Sequence, residues 1–466
     1  MPIQDGLPPR ERFRALLVII FAIVMTVLDG TIINLALPDI TRDLNVSAAH
    51  SIWIINAYQI ATLALILPLA TLGDIVGYRK VYLVGLAVFT LASLACALSD
   101  SLATLTLARV LQGIGAAGIM SVNSAQVRLI YPRHLLGRGI AVSSMVVAVS
   151  SVAGPTVAAL ILSVASWPWL FAINIPIGIA CLVVGRKTLP QNTSKATGSK
   201  LSLLDVALNA LMFGLIVIGI DGLGVRVEGP SGTATPPWLS AGILAAGVLV
   251  GIYYVRRQLA LTVPLFPVDL LRIPVFALSM GASIGAFSAQ TLAYVGLPFL
   301  LLQAFGRSHV EAGMLLTAWP LGIVVVAPFA GRLIGRYPAG LLGGIGMALL
   351  AVGLLLLALL PLHPSNADIV WRMTLCGLGF GLFQAPNNHT ILTSAPPHRS
   401  GGASGMLSAA RLCGQTLGAI VLAIVFSFLG TEDGRGPIVA LCLASAAAVF
   451  AGASSVLRVR AARLAA

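Results

Sequence analysis

The sequence carries very little charge. Only 9% of its 466 residues are Asp, Glu, Lys or Arg, whereas roughly 25% is usual in a soluble domain. Because 58% of the residues are hydrophobic, too few charged side chains are present to cover a surface that faces water. The shortage of charge excludes an ordinary soluble domain and indicates a protein whose surface faces lipid.

Residues that bind metals or form disulfides are also scarce. The five cysteines all fall in apolar runs at no metal-like spacing, so we interpret them as packing residues. The six histidines are scattered, mostly between those runs. An intramembrane enzyme would need paired acids, a nucleophile with its base, or histidines at metal-ligand spacing. The sequence therefore favours neither an enzyme nor a protein with a metal or a cofactor.

Long apolar runs make up most of the chain. A helix that crosses a bilayer needs ~20 predominantly apolar residues. By this measure we predict an all-α integral membrane protein with fourteen spans. The predicted spans are residues 15–38, 52–72, 81–98, 102–127, 139–163, 168–185, 204–223, 238–255, 275–302, 312–335, 339–361, 369–394, 403–428 and 437–457.

The formal net charge of +13 comes from the loops on one side of these spans. If the N-terminus is cytoplasmic, 21 of the 28 Lys and Arg residues fall on the cytoplasmic side, 4 on the outer side and 3 within spans. Membrane proteins keep Lys and Arg on the cytoplasmic side, so this distribution orients the chain and argues against nucleic-acid binding. Arg458 is counted with the cytoplasmic C-terminal tail. An even number of spans then places both termini in the cytoplasm.

The chain is predicted to consist of two six-span halves with an insert of two spans. The polar segment 186–203 is the best internal linker. We divide the chain into an N-terminal bundle at 1–190, a linker with two extra spans at 191–270, and a C-terminal bundle at 271–466. A Gly-charge-x-x-Gly pattern follows the second span and, at 331–337, the tenth. Parallel internal repeats of a transporter require such a motif at equivalent positions of the two halves.

Asp29 lies roughly in the middle of the first span. A carboxylate at the centre of a membrane helix costs about 2.5 to 3.5 kcal/mol to insert, so a function is expected. Arg109 lies in the fourth span at similar depth, roughly 10 Å from the outer end against roughly 13 Å for Asp29. A neighbouring guanidinium would favour the charged form of Asp29, and protonation would free Arg109. We predict a proton-coupling pair, with a static ion pair as the alternative.

The loop after the second span, Gly73 to Lys80, reads GDIVGYRK. Its glycines permit a tight turn, and Asp74 can pair with a basic group or cap a helix. We predict that it is a cytoplasmic gating loop that latches the two halves, against the alternative of a plain basic turn. The residues that form it are Gly73, Asp74, Gly77, Arg79 and Lys80.

Gly154 and Pro155 lie among small residues in the fifth span. Small residues let helices pack backbone to backbone, and proline removes a helical hydrogen bond and kinks the helix. We predict a hinge or seal at this point, and ordinary close packing is the alternative.

Further polar residues in the spans are candidates for the lining of a substrate cavity. Arg411 lies about 15 Å from the inner end of its span, too deep to reach the interface easily, so it should face the interior. The alternative for Asn387, near the cytoplasmic end of its span, is solvation at the interface. The candidates of the N-terminal half are individually more often explained by interhelical hydrogen bonds. The candidates are Asn34, Asn56, Gln59, Gln112, Asn387, Arg411 and Gln415.

Together these motifs resemble those of the fourteen-helix drug/proton antiporter family of the major facilitator superfamily. In that family the Arg of the fourth-helix motif is tied to proton coupling, and Arg109 matches it. The similar segments are 28–38, 73–80, 109–118, Gly154-Pro155, 169–178 and 401–418.

The sequence also departs from the family pattern. Ala158 and Ala159 stand where the fifth-helix motif usually has glycines, which weakens the antiporter interpretation. Asn56 stands where some cationic-drug exporters carry an acid, so export of divalent cations is not expected.

The resemblance implies a major facilitator fold with two six-helix bundles plus two inserted helices, and a central cavity that opens alternately to each side. It implies a proton-coupled antiporter in the cytoplasmic membrane that exports small amphipathic compounds or drugs. The proton gradient supplies the energy, and no cofactor is expected. An exporter of one dedicated metabolite is the alternative. A non-transporting sensor is a remote one, because no loop is long enough for a soluble domain. A monomer is expected, with substrate, protons and lipid as partners.

Overall fold

The computed structural model of the chain is helical throughout the residues that it describes. These are residues 6–132, 135–191, 202–224, 236–260, 268–334, 336–361, 363–395, 400–431 and 433–465. Within them lie sixteen α-helices, a 3₁₀ turn at Val268–Arg272 and a π turn at Leu300–Ala304. The helices are α1 (Pro9–Asp43), α2 (Ala48–Ser51), α3 (Trp53–Val76), α4 (Tyr78–Ala97), α5 (Leu102–Ile130), α6 (Leu136–Val164), α7 (Pro168–Ala172), α8 (Asn174–Thr188), α9 (Leu203–Gly224), α10 (Pro237–Leu259), α11 (Pro274–Phe299), α12 (His309–Leu333), α13 (Ala339–Ala358), α14 (Asn366–Ser394), α15 (Ser400–Leu429) and α16 (Arg435–Ala465).

Twelve helical segments in the described part of the chain are long and apolar enough to cross a membrane. The two predicted spans outside this set correspond to α6 and α14. In α6 the apolar segment found among the described residues is the shorter one, Ala153–Val164. In α14 the length includes Arg372 and Asn387, and Asn387 is fully buried. Neighbouring helices rather than lipid surround such a side chain, so α14 is more polar than a lipid-facing span. The count of fourteen spans stays a prediction.

The predicted sixth span is interrupted. Helix α7 ends at Ala172 and α8 begins at Asn174, with Ile173 between them. Pro176 has no N–H to donate to the carbonyl four residues earlier, at Ala172, so one helical hydrogen bond is missing. The interruption leaves Asn174 as the first residue of α8.

The chain divides into two compact units. Unit 1 comprises Met1–Ile33 and Trp53–Ala210, and unit 2 comprises Asn34–Ile52 and Leu211–Ala466. Helix α1 therefore contributes residues to both. The segment boundaries predicted at 190 and 270 stay predictions.

In unit 1, α5 packs closely against α3 and α4 through glycines. A Cβ atom on Gly113 would lie 2.4 Å from the backbone oxygen of Tyr58, and one on Gly115 would lie 2.4 Å from the backbone nitrogen of Phe89. Any side chain at these positions would push the helices apart. The close contact fixes α5, and with it the side chains that α5 contributes to the interior of the unit.

In unit 2, α14 occupies an interior position between α12 and α13. A Cβ atom on Gly377 would lie 2.1 Å from the backbone oxygen of Trp319 in α12. On the other side, Gly346 of α13 approaches the backbone oxygen of Gly379 in the same way, at 2.6 Å. Small residues on both faces let α14 lie in contact with two helices along its length.

Candidate functional site

A buried ion pair joins α1 and α5 inside unit 1. Asp29 and Arg109 are each 1% exposed, and Arg109 Nη1 lies 2.5 Å from Asp29 Oδ2. The similar depths inferred for these residues from the sequence therefore correspond to direct contact. In a low-dielectric interior, an Arg or an Asp without the other would be costly to keep charged.

The start of α5 sets the position of the arginine. Ser101 caps this helix, and its side chain forms a capping box with Thr104. Arg109 follows two turns later, and Gln112, three residues further on, lies on the same face. Both side chains reach the carboxylate of Asp29.

Arg109 is also held by groups other than Asp29. Its Nε donates to the backbone oxygen of Ile54 at 3.0 Å, and its Nη1 donates to Gln112 Oε1 at 2.5 Å. The guanidinium carbon lies 4.4 Å from the ring centroid of Tyr58 and 5.7 Å from that of Phe171. These neutral acceptors and ring faces fix the guanidinium independently of the charge on Asp29.

The second carboxylate oxygen of Asp29 accepts two amide hydrogen bonds. Gln112 Nε2 donates to Oδ1 at 2.7 Å, and Asn174 Nδ2 donates to the same atom at 3.2 Å. The three hydrogen bonds to this carboxylate all come from N–H donors, so it acts as an acceptor on both of its oxygens.

The amide of Gln112 has one orientation that satisfies all its neighbours. Its oxygen accepts from Arg109 and, at 3.6 Å, from the Cys96 thiol, while its nitrogen donates to Asp29 and, at 2.9 Å, to Ser93 Oγ. The hydroxyl of Ser93 in turn donates to the backbone oxygen of Phe89. These bonds fix the amide of Gln112 with its nitrogen directed at Asp29.

The segment from Gly73 to Lys80, predicted to be a loop, is mostly helical, since α3 continues to Val76 and α4 begins at Tyr78. Its contacts lie within unit 1. Gly77 has φ 109°, a conformation that favours glycine. The hydroxyl of Tyr78 donates to Asp74 Oδ1 at 2.6 Å, and Arg79 donates to the backbone oxygen of Arg186. Asp74 and Lys80 are exposed, whereas a Cβ on Gly73 would meet a methyl group of Val122 at 2.6 Å. The gating role of this loop stays a prediction.

Gly154 is the point where α6 contacts α1. A Cβ on Gly154 would lie 2.1 Å from Thr31 Oγ1, two residues from Asp29. Helix α6 continues through Pro155 to Val164 without ending there. The structure thus shows a close contact at the predicted hinge, and the hinge itself stays a prediction.

The other predicted cavity residues are spread over both units. Asn56 and Gln59 are buried on α3, and neither amide atom of Asn56 has a hydrogen-bond partner among the described residues. Asn34, Arg411 and Gln415 are partly buried in unit 2. Of the predicted cavity residues, Gln112 is the one that joins the Asp29 cluster.

Asn387 belongs to a second buried polar cluster, in unit 2. Its Nδ2 donates to Ser283 Oγ at 2.7 Å, and its Oδ1 accepts from Arg458 Nη1. Arg458 also donates to Ser279 Oγ at 3.0 Å and to the backbone oxygen of Ala339 at 2.9 Å. All these acceptors are neutral.

Arg458, which was counted on the cytoplasmic side just after the last predicted span, is a buried helical residue. Arg458 lies inside α16 and is 2% exposed. Gly340 and Gly343 of α13 make room for it, since a Cβ on Gly343 would lie 3.0 Å from Arg458 Nη2. The segment of α16 from Ser455 to Val459 packs against these glycines of α13.

Among the described residues, no group of three or more His, Cys, Asp or Glu side chains is placed to hold a metal ion. The candidate site is therefore a carboxylate, a guanidinium and two amides, which can take up a proton and exchange hydrogen bonds.

Comparison with known proteins gives consistent results along the whole chain. The Major Facilitator Superfamily profile matches residues 19–300 and 278–464. The chain is 53% identical to the uncharacterized transporter YebQ of Escherichia coli K12, over 98% of this chain and 97% of that one.

Two more distant relatives carry names that state what they act on. The riboflavin transporter RibZ of Clostridioides difficile is 28% identical over 90% of this chain and 89% of its own length. The multidrug resistance protein Stp of Mycobacterium tuberculosis is 30% identical over 86% of this chain and 74% of its own length.

Proposed function

The chain belongs to the Major Facilitator Superfamily, and from this premise we propose that it is a proton-coupled antiporter that exports small amphipathic compounds across the cytoplasmic membrane. It is a multi-pass membrane transporter and not an enzyme. The observation that carries the proposal is the buried contact between Asp29 and Arg109. An ionisable group inside a membrane bundle is by default a functional site.

Asp29 is the group that takes up and releases the proton. Arg109 stays charged at any working pH, so it cannot carry the proton itself. It acts by its distance from Asp29: close contact favours the carboxylate, and separation in a dry interior favours the acid. An antiporter needs such a difference in proton affinity between its two conformations.

The way Arg109 is held supports a reversible site. In a purely structural ion pair, neutralising the carboxylate would leave the buried guanidinium without a partner, at a cost of several kcal/mol in stability. Here Ile54, Gln112 and the ring of Tyr58 keep the guanidinium in place. Asp29 can therefore gain a proton without expelling Arg109 from the bundle.

The substrate is proposed to be a small amphipathic compound that need not carry a positive charge. The relative Stp is named a multidrug resistance protein, which supports drug export. The predicted cavity residues on α3 are the neutral amides Asn56 and Gln59. Amides offer hydrogen bonds to neutral groups, whereas a carboxylate would be expected for divalent cations.

A dedicated exporter of one metabolite is the second candidate. The similarity to a protein named riboflavin transporter favours it, because that relative is matched along 89% of its length. The two candidates differ in the number of unrelated compounds that they carry.

The test is a substrate panel in a strain that lacks its own multidrug pumps. The proposed antiporter should lower the accumulation of several unrelated amphipathic compounds, and collapse of the proton gradient should abolish the effect. Protection against one compound alone would select the dedicated exporter. Export that survives collapse of the gradient would contradict proton coupling. The vector alone and an Asp29→Asn variant expressed to the same level serve as controls.

The remaining proposed features concern the oligomeric state, the topology and the gates of the transporter. The chain would work as a monomer with both termini in the cytoplasm and fourteen spans in all. The loop from Gly73 to Lys80 would latch the cytoplasmic side, and the contact at Gly154 and Pro155 would seal the bundle or act as a hinge.

A further inference from the structure

We propose that Asn174 is a positioning residue that senses the charge of Asp29 and transmits it to the junction between α7 and α8. The inference rests on the proposed role of Asp29 as the proton site. It concerns the path by which a proton changes the shape of unit 1.

The junction is a weak point in the sixth span. Helix α7 has five residues, Pro168–Ala172, and is separated from α8 by Ile173. Pro176 removes the hydrogen bond that would cross this point. At the junction the Ile173 N–H donates to the Trp169 oxygen at 3.2 Å. A change in side-chain contacts can therefore alter its geometry at low cost.

Residues on the two sides of the junction contact the two members of the ion pair. Phe171, at the end of α7, places its ring 5.7 Å from the guanidinium carbon of Arg109. Asn174, at the start of α8, donates to Asp29 Oδ1 at 3.2 Å. Both residues are buried, at 1% and 2% exposure. The junction is thus attached to the charge pair through two independent contacts.

Protonation of Asp29 weakens the contact made by Asn174. A hydrogen bond to an ionised acceptor is roughly twice as strong as one between neutral groups. The N-terminal end of α8 also carries partial positive charge, which a carboxylate stabilises and a neutral acid does not. Both effects hold the start of α8 on Asp29 while it is charged and release it when the proton binds.

The body of α8 is fixed to α4, so the release acts on α7. A Cβ on Gly178 would lie 2.1 Å from Thr90 Oγ1, which shows how closely α8 approaches α4 one turn after Asn174. Helix α7 is only five residues long, and its Trp169 is exposed. The proton on Asp29 would therefore loosen α7 and leave α8 in place.

Hydrogen exchange at the junction tests this coupling. The full-length protein is reconstituted in lipid nanodiscs, and exchange of the Leu170 and Ile173 amides is followed at one pH. Asp29→Asn mimics the protonated residue, and Asn174→Ala removes the contact. Each should speed the exchange by on the order of tenfold, the effect of losing one charge-assisted hydrogen bond. Amide exchange in the double variant should be no faster than in either single variant, because both changes affect the same hydrogen bond between Asn174 and Asp29.

A matched control uses another buried asparagine of unit 1. Asn209 is 1% exposed and donates to the backbone oxygen of Ala64, away from Asp29. Asn209→Ala should leave exchange at the junction at the wild-type rate. Asn174→Gln retains an amide, so its exchange rate should lie between those of wild type and Asn174→Ala. Wild-type exchange in Asp29→Asn, or full additivity in the double variant, would overturn the inference.

A transport assay on the same samples separates the two proposals. If exchange behaves as expected but Asp29→Asn exports in a proton-driven manner like wild type, the junction senses Asp29 and the proposed proton role of Asp29 fails. If Asp29→Asn loses proton-driven export while exchange is unchanged, the proton role stands and the role of Asn174 fails.

Discussion

Arg109 Nη1 lies 2.5 Å from Asp29 Oδ2, although the two residues are 80 positions apart in the chain. Neither side chain is accessible to solvent beyond 1%. The contact brings together α1 and α5 at a point where three further residues, Gln112, Asn174 and Ile54, hydrogen-bond to the pair. The pair is therefore the centre of a network in unit 1.

Arg109→Lys should impair proton coupling more than folding. A lysine retains the positive charge but has no planar fork, so it cannot bond Asp29, Gln112 and Ile54 together. We expect a small loss of thermal stability and a reduction of substrate export by about tenfold or more. The comparison of melting temperature with proton-driven export in the same membranes checks this. Loss of both properties to the same degree would return the pair to a structural role.

Gln112→Glu should shift the pH dependence of substrate binding to higher pH. The new side chain has nearly the same shape, but it places a second carboxylate beside Asp29. Two adjacent carboxylates cannot both ionise easily, so the pair retains a proton to higher pH. A shift of about one pH unit is expected. An unchanged midpoint, measured by equilibrium binding across pH 5 to 9 in steps of about half a unit, would mean that Gln112 does not act on the Asp29 proton.

Gly154→Ala should disturb the packing of α6 on α1. The added Cβ would lie 2.1 Å from Thr31 Oγ1, well inside contact distance, and overpacking of this kind costs about 1–3 kcal/mol. Thr31→Ala removes the clashing oxygen and should restore part of the lost thermal stability in the double variant. If Gly154→Ala alone is as stable and active as wild type, the close contact is not needed for stability or transport.

Arg458→Met should lower stability without changing the pH profile of transport. The substitution leaves the oxygens of Asn387, Ser279 and Ala339 without their donor. Each buried unsatisfied group costs about 1–3 kcal/mol. Thermal unfolding and the pH profile are measured on the same preparation. A shifted pH profile would show that this cluster, and not the one around Asp29 alone, takes part in proton coupling.

The sequence was informative where a residue's chemistry conflicted with its surroundings. An acid and an arginine at similar depth in two apolar helices predicted a site, and the structure brings them into contact. Hydropathy alone did not show which other residues hydrogen-bond to this ion pair. Asn174 lies in an apolar run, so its polarity alone does not mark it as a site residue. It joins the site because α8 begins there, next to Pro176, and because α8 packs against α4.

The sequence does not show where tertiary packing replaces solvent or lipid. Arg458 follows an apolar run and was counted on the cytoplasmic side, and α16 continues through it and buries it against the glycines of α13. Helix α14 is not among the segments that qualify as spans by apolarity, and it packs against α12 and α13. Such contacts arise between distant parts of the chain and leave no local pattern.

Proton release on substrate binding tests the central role of Asp29 most directly. Substrate identified in the panel is added to purified protein in weakly buffered solution, and the released protons are counted with a pH indicator. We expect wild type to release protons when substrate binds and Asp29→Asn to bind substrate but release none. Equal proton release by Asp29→Asn would contradict the proton-carrying role of Asp29, because the proton would then come from another group.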